Sequence, residues 1–83
     1  MRIVFSDHAK QQMKERCLSE ASIRLVIRQP EVLHRQSKDR FRAIGYLPET
    51  RNRYVLIVVY DVISGRRMEV VTAFVSSKVK KYL

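Results

Sequence analysis

Eighty-three residues with seventeen Lys and Arg, eight Asp and Glu and a formal charge of +9 describe one small basic domain over 1–83, long enough for a single sheet-and-helix core and too short for a second. Eleven of the seventeen cations are arginine, which forks onto phosphate and carboxylate oxygens, so the leading partner is a polyanion: RNA, DNA, an anionic membrane surface or an acidic protein. The lone Cys17 excludes an intramolecular disulfide and a zinc-finger arrangement, and the most apolar run, "YVLIVVY" at 54–60, is too short to span a bilayer; a soluble cytoplasmic protein with no metal and no cofactor is expected.

In chain order, "RIVF" (2–5) is a short β-leaning run. Ser6 offers an N-cap oxygen and Asp7 a first-turn negative charge, which predicts a helix from there to about Arg16. Ala9, Met13 and Cys17, spaced by four, form its narrow apolar stripe, so Cys17 reads as a small buried hydrophobe rather than a nucleophile. Leu18 and Ser19 break the pattern. Ser19 caps a second helix that turns Ala21, Ile23, Val26 and Ile27 inward and Glu20, Arg24 and Arg28 outward, and Pro30 ends it.

From Glu31 the period changes to two. "EVLHRQ" (31–36) is a strand, "SKD" a turn, and "RFRAIGYL" (40–47) alternates Phe41, Ala43, Gly45 and Leu47 against Arg40, Arg42, Ile44 and Tyr46. "PETRN" makes the next turn. "RYVLIVVYDV" (53–62), apolar on both faces, predicts a central strand. A turn through Gly65 leads to the last strand, "RMEVVTAFV" (67–75), and "SSKVKKYL" is a frayed helix or a charged arm. The expected fold is α+β, with two N-terminal helices packed on one face of a three- to four-stranded antiparallel sheet. Arg40, Arg42 and Tyr46 then share the uncovered face, where basic and aromatic side chains stand together.

Metal-free RNA cleavage needs a group to take the 2′-OH proton, a group to protonate the 5′-oxygen, and fixed cations on a phosphorane whose charge grows in the transition state. His8 is the first candidate for proton transfer, because histidine titrates nearest neutrality, and His34 is a second. Arg16, Arg40 and Arg42 supply charge, and Tyr46 stacks a base or donates a proton. Each has a plainer reading. His8 is also an ordinary polar residue in a first helical turn, His34 a solvent-facing residue on an outer strand, the two strand arginines a solvated face, and Thr72, sharing a face with Val70 and Phe74, a satisfied core threonine. Arg16 lies about 80° around the helix from His8, at the border of the apolar stripe, where its stem packs and its head reaches the sheet or a ligand.

The order "FSDHAKQQMKERCLSEASIRLVIRQPE", "RFRAIGY", "RYVLIVVYDV", "VVTAF" resembles the domain of unknown function 4258 family over nearly the whole chain. That family looks like a member of the RelE-like and ParE-like toxin group, with its barnase-related fold. The resemblance falls on His8, Arg16, Pro30, Arg40 or Arg42, and Thr72. One departure is "RCLS" at 16–19 where the family reads "RGIS": a glycine would permit a left-handed helix end that Cys17 does not favour, so the junction is expected to differ. The RelE-like side implies RNA cleavage, often on the ribosome, with an acidic antitoxin as partner; the ParE-like side implies gyrase inhibition without a nuclease site. The leading expectation is a metal-independent endoribonuclease, the toxin of a toxin–antitoxin pair. His8, Arg16, Arg40 and Arg42 are its catalytic set, and Tyr46, Lys14, Thr72 and Lys78 contact RNA. A non-catalytic module that binds nucleic acid or the ribosome, and a basic subunit of a protein complex, are the alternatives.

Overall fold

The computed structural model describes residues 2–83. Strand β1 (Arg2–Phe5) leads into helices α1 (Asp7–Arg16) and α2 (Glu20–Arg28), which are followed by strands β2 (Val32–Arg35), β3 (Arg40–Tyr46), β4 (Val55–Ser64) and β5 (Arg67–Ser76) and a last short helix, α3 (Val79–Tyr82). Both helix starts follow from their capping serines: Ser6 Oγ accepts from the Ala9 N–H at 3.0 Å and Ser19 Oγ from the Ser22 N–H at 3.1 Å. At its other end α1 stops in a left-handed residue, Cys17, at φ 54°, and the Leu18 N–H closes back onto the Met13 carbonyl at 2.9 Å. The helix thus ends as it would with glycine, but with a Cβ in place, and Cys17 is exposed rather than buried.

The expected three- to four-stranded antiparallel sheet with two helices on one face is corrected by the sheet, which has five strands in the order β1-β5-β4-β3-β2 and is mixed. β1 runs parallel to β5, with Phe5 opposite Val70, while β2 to β5 are antiparallel neighbours. Turn chemistry pairs strands that adjoin in sequence; this parallel pair joins the two ends of the chain and leaves no local signature. A third helix is the other departure, and it lies against the opposite face of the sheet from α1 and α2.

On the helix face, Ala43, Leu56, Val58, Tyr60, Val70 and Ala73 pack with Ala9, Ile23 and Val26 from α1 and α2. α2 covers β3 and β4, while α1 lies over β5. Of the residues expected to turn inward on α2, Ala21 instead is exposed. On the far face, Ile44, Val55 and Ile57 make a second, smaller cluster that Val79 and Tyr82 of α3 help to cover. β4 is therefore central and buried on both sides, as its composition predicts. Full burial stabilises an aliphatic or aromatic side chain by about 1.5–3 kcal/mol; less than that, from the half-buried Val79 and Tyr82, holds a helix too short to persist alone.

Beyond the end of β1, the edge of β5 faces α1. Ala73 points both its N–H and its carbonyl at that helix: Gln12 Oε1 accepts from the amide at 3.1 Å, and Arg16 Nη1 donates to the carbonyl at 3.2 Å. Two side chains one turn apart thus take the place of a missing strand. Among the described residues, no helix is long and apolar enough to cross a membrane.

Candidate nucleic-acid interface

Alternation along β3 sends Phe41, Ala43 and Leu47 to the helices and Arg40, Arg42, Ile44 and Tyr46 to the far face. That face is not fully open. Tyr46 is half-buried in the cluster closed by Val79 and Tyr82, so the end of the strand expected to present an aromatic platform is roofed by α3. The open part is the other end, around the two arginines.

They differ in state. Arg40 forks onto Asp61, its partner across β4, with Nε and Nη2 at 2.7 and 2.9 Å from the two carboxylate oxygens. The hydrogen bond from Arg40 is the main cause that holds the Asp61 carboxyl below its ordinary range; burial opposes it in part, the Arg40 charge adds to it, and Asp61 in turn raises Arg40. Because Asp61 is more acidic folded than unfolded, the pair's contribution is present above the ordinary carboxylate range and is lost as pH falls through the lowered value. Arg42, two residues on, is half-buried; its Nε is buried with no hydrogen-bond partner and, among the described residues, no carboxylate lies within ion-pairing distance. The buried Nε is thus a donor the fold leaves unsatisfied, and the guanidinium carries no carboxylate that competes with an incoming anion.

The register sets one cross-sheet row on this face: His34, Arg42, Val59 and Thr72, from β2, β3, β4 and β5 in turn. His34 is exposed and stands directly opposite Arg42. Facing residues in an antiparallel pair are about 5 Å apart at Cα, so one phosphate can touch both side chains. Thr72, two strands beyond Arg42, is about 10 Å away by strand spacing. Its hydroxyl already donates to Gln12 Oε1. The expectation that Thr72 shares a face with Val70 and Phe74 holds for Phe74, which stands with it on the far face, and fails for Val70: a bulge pairs Tyr60 with Val70 and Val59 with Thr72, which leaves Val71 over and turns Val70 into the helix-face core.

The other candidates lie elsewhere. His8 is exposed in the first turn of α1 and, among the described residues, makes no side-chain hydrogen bond; Lys14 is exposed on the same helix. Arg16 is tied to the β5 edge. Since α1 lies over β5 on the helix side, His8 and Arg16 do not join Arg40 and Arg42 in one site. Lys78 is exposed at the start of α3, which is seated on the far face, so it flanks the arginines' side of the sheet with Lys80 and Lys81. His34 is the residue that gains most from the structure. The hairpin carries its signal: a three-residue turn at 37–39 pairs residue 36 with 40, and therefore 34 with 42. Among the described residues, no three of His, Cys, Asp and Glu gather as metal ligands.

The model of one family, a domain of unknown function (DUF4258), matches residues 5–81. No curated protein and no solved structure matches significantly.

Proposed function

The chain belongs to the DUF4258 family, whose name assigns no activity, and from the geometry of the sheet we propose that it binds RNA across the far face and cleaves it without metal at His34 and Arg42. The observation that carries the reading is the pairing of an exposed imidazole with a guanidinium whose buried Nε has no partner. Arg42 holds the non-bridging oxygens of one phosphate. His34 takes the proton of the neighbouring 2′-OH, the 2′-oxygen bonds to phosphorus, and the bond to the 5′-oxygen breaks. A 2′,3′-cyclic phosphate and a 5′-OH that takes its proton from water remain. Lys78, Lys80 and Lys81 extend the charge along the strand's path, and Arg40 contributes when Asp61 releases it. The RelE-like resemblance adds the narrower reading, a toxin acting on RNA or on the ribosome with an acidic antitoxin covering the basic face.

The test is cleavage of total RNA in chelator, with and without ribosomes, by wild type and by His34→Ala and His8→Ala. Loss of the general base lowers the rate by about 10²- to 10⁴-fold in His34→Ala. His8→Ala keeps most of the activity. Activity lost in His8→Ala and kept in His34→Ala would move the chemistry to α1. A retarded RNA band that dissolves as salt rises, with no product, would leave a binding module.

A further inference from the structure

The geometry points to a second ligand site beyond the far-face reading: a cleft at the junction of α1 and α2 that takes a nucleotide, its base on Tyr54 and its phosphate on Arg16. The cleft is open to solvent and measures about 620 Å³ between the helix junction, Pro48, Glu49 and Tyr54 of the β3–β4 loop, and Val75 of β5. That is the size of small-ligand pockets, and its lining is about equally polar and apolar. Its floor is core: Leu18, Leu47 and Val75 all belong to the helix-face cluster.

Three features select the ligand. Arg16 is a prepared cation: its Nη1 is held by the Ala73 carbonyl, and among the described residues its other N–H groups meet no acceptor and no carboxylate lies within ion-pairing distance of it. An anion there meets a guanidinium already ordered by the fold. Tyr54 lines the cleft, is 42% exposed and, among the described residues, stacks on no other ring, so its ring is available to a base. A bare phosphate leaves that ring unused; a nucleotide uses both. The adjoining hollow shares Tyr54 and is lined by Arg51 and Arg53, which suits the next phosphate of a strand.

The backbone agrees. Among the described residues, the non-glycine positions with left-handed φ are Cys17, Glu49, Arg51 and Asn52, and all of them lie in the two segments that wall the cleft and this hollow. Cys17 takes that conformation as a helix end and Asn52 as a residue that tolerates it; Glu49 and Arg51 are the rarer cases, and such strain gathers at binding sites.

Cys17 supplies the readout, because it lines the cleft, is exposed, and is the sole thiol. The rate of its reaction with a disulfide reagent is measured with 5′-AMP, adenosine, inorganic phosphate and a five-residue oligoadenylate. Occupancy slows the reaction by a factor of 1 + [L]/Kd, about tenfold at ten times Kd. Protection by 5′-AMP beyond that by adenosine or phosphate, lost in Tyr54→Ala and kept in Tyr54→Phe, supports the site. Stronger protection by the oligonucleotide than by 5′-AMP assigns the nucleotide to an RNA strand, and equal protection to a free nucleotide. No protection by either, protection by phosphate as strong as by 5′-AMP, or protection that survives Tyr54→Ala overturns it; circular dichroism checks that the variants fold. Arg42→Ala separates the two proposals: it lowers far-face cleavage by about 10²- to 10³-fold and leaves Cys17 protection intact, whereas protection lost in Arg42→Ala places the nucleotide on the far face and overturns the cleft.

Discussion

Arg42→Ala is expected to lower RNA cleavage by about 10²- to 10³-fold, the usual loss when a positioned donor to developing transition-state charge is removed. The same change should reduce the slope of log affinity against log salt by about 0.7–1, as one phosphate contact disappears. Folding stability should not fall with activity. In the free protein Arg42 Nε is a buried donor with no acceptor, a group whose desolvation costs about 1–3 kcal/mol, and alanine removes it. A variant inactive on RNA yet at least as stable as wild type is a combination that a merely structural arginine does not produce. Arg40→Ala is the contrasting case, because its guanidinium is already occupied by Asp61.

The largest stability effect is expected at Gly45. This residue is buried in β3 beneath α2, and a Cβ there would sit 3.2 Å from Val26 Cγ2 and 3.5 Å from Val26 Cγ1. Replacing glycine in a strand by a β-branched residue gains about 0.5–1 kcal/mol of intrinsic preference. Overpacking costs about 1–3 kcal/mol or more and outweighs that gain. Gly45→Val should therefore lower the melting temperature by roughly 4–15 °C, given about 4–8 °C per kcal/mol in a domain of this size. In a Val26→Ala background the clashing methyls are gone and the penalty should shrink, so a double-mutant cycle over the two positions should show coupling. Additive effects would mean that α2 does not rest on Gly45.

What the sequence disclosed is what local chemistry encodes. Ser6, Ser19 and Pro30 mark helix boundaries because capping oxygens and a missing N–H act within one turn. The two-sided apolar run at 54–60 reads as central because only a covered strand tolerates it. The β1 to β5 pairing stayed hidden because its partners are 65 residues apart. The bulge at Val71 parted Val70 from the face that Thr72 and Phe74 share, since alternation assumes an unbroken ladder. Tyr46 reads as free from the sequence because nothing in "SSKVKKYL" tells that Val79 and Tyr82 close over it.

The candidate site divides along the same line. Arg40 and Arg42 were found from strand period, which also gives their common face. Arg16 was placed at the border of its helix, and only the fold reveals that its head serves the β5 edge and a separate cleft. His34 was within reach of the hairpin's arithmetic, yet a solvent-facing role on an outer strand weighed against it, and the weight of Arg42 as its neighbour comes from burial that no composition predicts.

The most direct measurement is the nitrogen-15 resonance of Arg42 Nε, followed by NMR as a short 2′-fluoro RNA, which cannot be cleaved, is added. The account predicts that this signal shifts in step with the His34 ring and with the degree of binding, while Gly45 and the residues of α2 stay in place. RNA that binds and leaves the Arg42 and His34 signals unmoved, with its shifts gathered on α1 around His8, would contradict the assignment of the far face as the RNA site.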